Sequence, residues 1–233
     1  MLIDNFVIEG VPQCNNVDSL AATAGSPILN SATADVSFVD PNGSVSFFVT
    51  YSDGATTDTV SPNPTSTSFT ITGLSGNTNY TITVAPICQS GDTAASASTT
   101  VTTPCALYSI PFVEDFETTS SSVSCWSVGT STTGSQNFTW ALDAGGTVSQ
   151  TTGPSVDHTS GTATGRYYYT EASSIQPNEV ATLSSPQVVI PSGSHRLKFW
   201  YHMAGLDMGG LRVLVNRPAT NTSSTWDKAQ PFR

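Results

Sequence analysis

Short runs of alternating apolar and polar residues recur along the whole chain, and residues that favour turns separate them. Alternation with a period of two is typical of a β-strand that has one buried face. In the first half of the chain, strands are predicted at Asp35–Val39, Val45–Tyr51, Thr67–Leu74, Tyr80–Cys88 and Ala97–Thr103. Turn sequences such as DPNG, SDG and LSGN lie between them, and a strand every 10 to 15 residues or so favours a β-sandwich.

The second half contains three longer runs that are rich in β-branched and aromatic residues, which are enriched in strands. These runs predict strands at Arg166–Glu171, Glu179–Ile190 and Arg196–His202. No extended 3.6-residue apolar pattern is present, and no apolar run reaches the roughly 18 residues that a membrane-spanning helix requires. The sequence therefore predicts an all-β protein.

Charge is distributed unevenly along the 233 residues, a length sufficient for one or two domains. All seven Lys and Arg residues lie at or after Arg166, whereas thirteen of the seventeen acids precede it. Such an acidic region should repel nucleic acid and anionic lipid and should attract cations. We therefore expect neither a nucleic-acid partner nor membrane insertion. Solubility alone is the simpler explanation of the acidity.

The four cysteines show no CxxC spacing and have no paired histidines nearby, which argues against a zinc site. An even number of cysteines in a Ser- and Thr-rich β-protein suggests disulfides and an oxidising, extracellular or cell-surface location. The first residues, MLIDNFVIEG, lack the basic region and cleavage site of a signal peptide. If the protein is secreted, we expect its leader to be missing from this sequence.

The segment GLSGNTNYTITVAPIC resembles the fibronectin type III module, with Leu74, Thr78 and Tyr80 at the positions of its conserved corner. The resemblance covers residues 15–104 and implies a β-sandwich in which the Tyr80 hydroxyl bonds to the backbone upstream. Phe38 replaces the tryptophan usual in the family's second strand. The endings "IC..GD" and "TTPC" resemble the variant found in secreted proteins of Bacteroidetes.

Residues 105–233 resemble the MAM domain, an extracellular jelly-roll adhesion module. The matching segments are CALYSIPFVEDFETTSSSVSCW, TGPSVDHTSG and LKFWYHMAG, and the first of them is equally similar to the cleaved-adhesin jelly rolls of Bacteroidetes surface proteins. Arg196 stands where the family has a later cysteine, so its second disulfide is absent. The family would continue for two or three strands beyond residue 233, so the jelly roll is expected to be truncated.

Together the two resemblances imply two disulfides. The opening loop of the MAM domain implies Cys105–Cys125. In a fibronectin-like sandwich the first strand begins at the pole where the sixth strand ends, which implies Cys14–Cys88. Cys14 could instead close a preceding jelly roll.

Residues 1–14 resemble the last strand of a jelly roll, yet they precede the fibronectin-like part. One explanation is a fragment of a longer repeat array in which the two module types alternate. The other is that the run Leu2–Ile8, which is apolar on both faces, adds to an unpaired sheet edge of its own chain or of a neighbouring copy.

Asp115 and Glu117 flank Phe116, so in a regular strand both carboxylates would leave one face while the aromatic ring enters the core. With Asp157 they could supply oxygen ligands for calcium, and related jelly rolls carry calcium near this first strand. The alternative is that all three carboxylates are simply solvated.

Few other residues suggest chemistry. His158 has no accompanying GxSxG or HExxH motif, so a structural role is expected. Trp126 and Trp200 are expected in the core, although an exposed set of aromatics could stack on carbohydrate. Asp-Ser and Asp-Thr triplets resemble the Bacteroidetes O-glycosylation pattern. Their acceptors would be Ser19, Thr59 and Thr93.

No nucleophile–base pair or paired carboxylates are recognisable, so no enzyme activity is expected. The sequence favours a non-catalytic pair of extracellular adhesion or structural modules, part of a large repetitive bacterial surface protein. Its partner would be a cell-surface protein, a glycan or a neighbouring copy. The alternative is an accessory carbohydrate-binding region of a secreted multidomain enzyme. Fold does not separate these two, because β-sandwiches serve both.

Overall fold

The computed structural model describes residues 14–130, 138–149, 151–173, 175, 178–205, 209–215 and 224–225. The strand expected within residues 1–14 therefore lies outside the described residues, apart from Cys14. The chain divides into two compact units. Unit 1 comprises residues 1–114, 121–127 and 184–195, and unit 2 comprises residues 115–120, 128–183 and 196–233.

Unit 1 contains a sandwich of two antiparallel sheets, with β1-β2-β5 in one and β4-β3-β6-β7 in the other. The strands are β1 Asp18–Ile28, β2 Ser31–Val39, β3 Ser46–Ser52, β4 Thr57–Thr59, β5 Ser68–Leu74, β6 Asn79–Ile87 and β7 Ala97–Thr102. All five strands predicted for this half of the chain are present within one or a few residues of their expected bounds. Strands β1 and β4 were not predicted.

The core of unit 1 follows from the alternation in β2, β3 and β6, whose inward positions are apolar and buried. The Phe38 ring packs edge-on against Phe47, with ring centroids 4.6 Å apart. Phe47, Val49 and Ile82 are almost fully buried. Phe38 thus occupies the core as a replacement for the expected tryptophan.

A hydrogen-bonded corner joins β5 to β6. The Ser75 amide donates to the Tyr80 hydroxyl at 3.1 Å, which is the upstream backbone bond expected of this tyrosine. The Thr78 amide donates to Thr103 Oγ1 at 3.0 Å, and that hydroxyl donates to the Ser75 carbonyl at 2.6 Å. Leu74 is buried beneath the corner. The connection is therefore fixed by both polar and apolar contacts.

Further short elements complete unit 1. Strand β8, Tyr108–Ser109, pairs in parallel with β13, Val188–Val189. A single turn of 3₁₀-helix spans Val123–Cys125, and the Asn77 side chain donates to the Ser124 carbonyl at 3.2 Å. These contacts hold residues beyond the sandwich against its edge.

Unit 2 contains the strand pairs β9 with β12, β10 with β11 and β14 with β15, and the last two pairs are antiparallel. The strands are β9 Ser127–Thr130, β10 Trp140–Ala144, β11 Arg166–Thr170, β12 Ala181–Ser184, β14 Leu214–Val215 and β15 Ser224–Thr225. The Trp140 indole N–H donates to the Ala181 carbonyl at 3.2 Å and so connects two of these pairs. The described residues contain no α-helix, and no helix among them is long and apolar enough to cross a membrane.

Two predictions in the second half are wrong in detail. The expected strand Glu179–Ile190 is divided into β12 and β13 by Ser185 and Pro186, because proline cannot donate to a ladder. The expected strand Arg196–His202 takes part in no ladder among the described residues. Its sequence has the composition of a strand, but no described strand lies beside it to accept its hydrogen bonds.

Candidate functional site

The residues predicted to bind calcium begin with Asp115, Phe116 and Glu117, which do not form the regular strand expected of them. Phe116 adopts a left-handed backbone with φ of 62°, and the Asp115 carboxylate accepts the Glu117 amide at 3.1 Å. This local turn removes the alternation on which the prediction depended. The Phe116 ring still packs inward, edge-on against Tyr168 with centroids 5.1 Å apart.

The third predicted ligand, Asp157, lies at the centre of a compact loop and is only 5% exposed. Its carboxylate accepts the Ser160 hydroxyl at 2.5 Å, the Ser160 amide at 2.7 Å and the Thr162 amide at 3.3 Å. The Ser160 hydroxyl and then the Ser160 amide favour the charged form, and they lower the pKa of Asp157 to about 2. The carboxylate therefore stays ionised while holding the loop closed.

Glu117 and Asp157 contact two consecutive residues of the chain, Arg166 and Gly165 respectively. The Arg166 amide donates to Glu117 Oε1 at 3.1 Å, and Gly165 packs directly on the Asp157 carboxylate, with which a Cβ at that position would collide. The sequence analysis overlooked Ser160 and Gly165. An aspartate followed three residues later by a serine is the sequence sign of such a loop.

These contacts decide whether the three carboxylates suit calcium, which takes six to eight oxygen ligands. Within the described residues, no group of three or more His, Cys, Asp or Glu side chains could hold a metal ion. Both oxygens of Asp157 already accept hydrogen bonds. Among the described residues the three carboxylates therefore do not come together as one such group, and calcium binding through Asp115 and Glu117 remains a prediction.

Several exposed apolar side chains of unit 2 lie in the run RLKFWYHM at residues 196–203, here called the aromatic segment. Trp200 is 73% exposed and Leu197 is 56% exposed. Phe199, Tyr201 and Met203 are each at least 40% exposed. Contiguous apolar surface of this kind is typical of a binding site. The expectation that Trp200 lies in the core is wrong, because no described strand covers it.

Two side-chain contacts connect the aromatic segment to the loop of Asp157. The Trp200 indole stacks on the His158 imidazole, with ring centroids 3.7 Å apart and planes 15° apart. The His202 Nε2 atom lies 2.9 Å from the Thr152 carbonyl. His158 is therefore a stacking partner of Trp200. The same loop that is closed by Asp157 positions the exposed Trp200.

Trp126, the other tryptophan expected in the core, is half-buried in unit 1. Its indole N–H donates to Glu114 Oε2 at 3.2 Å, and the Ser122 hydroxyl donates to the same oxygen. The indole is therefore held by a half-buried hydrogen bond, as is usual for a tryptophan that is partly removed from solvent.

The disulfides have the connectivity implied by the sequence. Cys14 pairs with Cys88, and Cys105 pairs with Cys125, and the described residues contain no free cysteine. The predicted glycosylation acceptors Ser19, Thr59 and Thr93 are all exposed. Their exposure makes modification possible, and glycosylation itself remains a prediction.

Comparison with known families decides the identity of the two parts. A family model of the fibronectin type III domain matches residues 26–102. A family model of the MAM domain (meprin/A5/mu) matches residues 115–231, about half of the chain. The chain belongs to the MAM domain family. In this protein the MAM domain follows a fibronectin type III domain, and both are β-sandwich folds.

Curated relatives match this chain over short stretches. Neuropilin-1a of Danio rerio is 39% identical over 87 residues, which cover 37% of this chain and 9% of the relative. MAM domain-containing protein 2 of Mus musculus is 38% identical over 85 residues, which cover 36% of this chain and 12% of the relative. The chain therefore spans only about a tenth of the length of these relatives.

A solved structure described as a Fn3-like protein from Clostridium thermocellum is 27% identical to this chain. The alignment covers 38% of this chain and 91% of that one, with a TM-score of 0.32. Fibronectin type III and MAM domains are non-catalytic modules of extracellular proteins, and the two disulfides agree with an oxidising location. The coarse role of the chain is thus that of an extracellular binding module.

Proposed function

We propose that this chain is an adhesive module pair from a larger bacterial cell-surface or secreted protein, and that the aromatic segment of its MAM domain contacts the partner. The observation that carries the proposal is the exposure of Trp200 and its apolar neighbours on unit 2. Exposed aromatic side chains contribute strongly to binding, because they bury a large area with little loss of conformational entropy.

The way in which Trp200 is held supports the same proposal. An exposed side chain that is already ordered loses less entropy on binding. The stack on His158 restrains the indole, while three hydrogen bonds to Asp157 restrain the loop that carries His158. A pre-ordered aromatic on a closed loop is suited to recognition of a protein or glycan surface.

A second candidate is supported by the same tryptophan. An indole that exposes most of its surface can stack on a sugar ring, as an accessory carbohydrate-binding region of a secreted enzyme would require. Binding of the intact chain to a glycan array distinguishes the two. A defined saccharide signal that Trp200→Ser removes would support carbohydrate recognition. Blank arrays together with saturable binding to intact cells would support adhesion to a protein.

A further inference from the structure

The aromatic segment has the pattern of a strand that lacks its neighbour. In the sequence, Leu197, Phe199, Tyr201 and Met203 alternate with Arg196, Lys198, Trp200 and His202. If the segment were a strand, the first set would form an apolar face and the second a basic one. In the structure both sets are exposed, and residues 196–203 take part in no ladder among the described residues.

Leaving such a segment unpaired is unfavourable. Each of its backbone N–H and C=O groups can form a ladder bond, and an apolar strand with an open edge is a template for another chain. Its contacts through His158 and Thr152 involve side chains and do not use the segment's backbone. As far as the described residues go, the backbone of residues 196–203 thus remains available for strand addition.

The N-terminal run Leu2–Ile8 has complementary properties. Its seven residues approach the eight of the aromatic segment in length, and five of the seven are apolar. Asp4, the third residue of this run, and Glu9, which follows it directly, would lie on opposite faces of a strand. Whichever face met Arg196 and Lys198, it would therefore present a carboxylate to them.

Charge along the chain favours pairing between copies. Residues 1–165 carry thirteen acids and no Lys or Arg, a formal charge of −13. Residues 166–233 carry seven basic and four acidic residues, a formal charge of +3. The acidic N-terminal part of one copy should attract the basic C-terminal part of a second copy. Such head-to-tail contacts can continue into chains of molecules.

We propose that Leu2–Ile8 of one copy adds as a β-strand to the aromatic segment of the next copy. This inference rests on the proposed function, because it names the partner of the same segment. The donor strand supplies the missing ladder, its apolar side chains cover Leu197 and Phe199, and the one carboxylate on the other face lies opposite Arg196 and Lys198. Head-to-tail addition of this kind builds an adhesive fibre.

Hydrogen exchange and sedimentation of the intact, oxidised chain test the proposal together. We expect amides 196–203 to become protected as concentration rises, in step with an increase in mass. Removal of residues 1–9 should abolish both effects. A synthetic peptide of residues 2–10, added to the shortened chain, should restore the protection without restoring the mass.

A charge exchange tests the orientation of the contact. Arg196→Glu with Lys198→Glu should weaken self-association by about 2- to 30-fold, the range for two exposed ion pairs. Asp4→Lys with Glu9→Lys in the same chain should recover most of the loss. The matched control is Arg212→Glu, which changes an exposed charge of unit 2 outside the segment and should have little effect.

Three results would overturn the proposal. Protection of 196–203 that survives removal of residues 1–9 would mean that another part of the chain covers the segment. Protection at a constant monomeric mass would mean that the strand pairs within its own chain. No protection at any concentration would mean that no strand adds. Cell binding sensitive to Trp200→Ser in the shortened chain would, in each case, leave the broader adhesive function intact.

Discussion

The corner at Tyr80 allows a quantitative test of the fibronectin type III part. Tyr80→Phe removes one oxygen and leaves the ring, which is 6% exposed and packs edge-on against Tyr51 with centroids 6.1 Å apart. The variant therefore deletes the bond from the Ser75 amide and preserves the packing. Any change in stability should come from this bond alone.

The expected loss is about 1 kcal/mol, the usual net value of one hydrogen bond. A larger penalty would apply if the Ser75 amide were left unpaired in the interior. Ser75 is exposed, however, so water can replace the tyrosine as acceptor. For a domain of about 90 residues, such a loss lowers the melting temperature by about 4–8 °C.

Native-state hydrogen exchange of the β6 amides, residues 79–87, measures this loss in unit 1 alone, because core amides report the global opening of their own unit. Tyr51→Phe is the matched control, since its hydroxyl makes no hydrogen bond to a described residue. Equal effects of the two variants, or no effect of either, would contradict a stabilising corner. A loss above about 3 kcal/mol would show that the ring itself had moved.

Three further predictions concern unit 2. Asp157 has a pKa of about 2, below its ordinary 3.8, so the stability that its carboxylate contributes is complete above pH 3.8 and is lost as pH falls through 2. In a pH series of melting curves, Asp157→Asn should therefore reduce the fall in melting temperature over this acidic range. Gly165→Ala should cost about 1–3 kcal/mol by overpacking against that carboxylate, whereas Gly146→Ala, which meets open space, should not. Millimolar calcium should raise the melting temperature of unit 2 relative to chelator; identical midpoints, or a response unchanged by Asp115→Ala with Glu117→Ala, would count against calcium.

Local pattern was sufficient to predict most of unit 1. Its strands alternate strictly and are separated by strong turn sequences, so Val45–Tyr51 and Tyr80–Cys88 could be located within about one residue. Strand β1 was missed because its sequence, DSLAATAGSPI, is rich in Ala and holds no buried residue. Its pairing with β2 depends on the partner strand and not on its own propensity.

Tertiary context decided the outcome in unit 2. The Asp115–Glu117 turn depends on a carboxylate bond to a backbone amide, which periodicity does not reveal. The exposure of Trp200 depends on which strands lie beside it, and a strand-like sequence alone does not specify a neighbour. The loop formed by Asp157 was located correctly, but its role as a hydrogen-bonded structural centre follows only from the contacts of Ser160 and Thr162.

The adhesive function is tested most directly by binding of the fluorescently labelled, oxidised chain to intact cells, measured by flow cytometry. We predict saturable binding that Trp200→Ser weakens by at least about tenfold, as expected for a central aromatic contact. Val148→Ser, which alters another exposed apolar residue of unit 2 (79% exposed), should bind as the unchanged chain does. Absence of saturable binding, or equal loss in both variants, would contradict a binding surface at the aromatic segment.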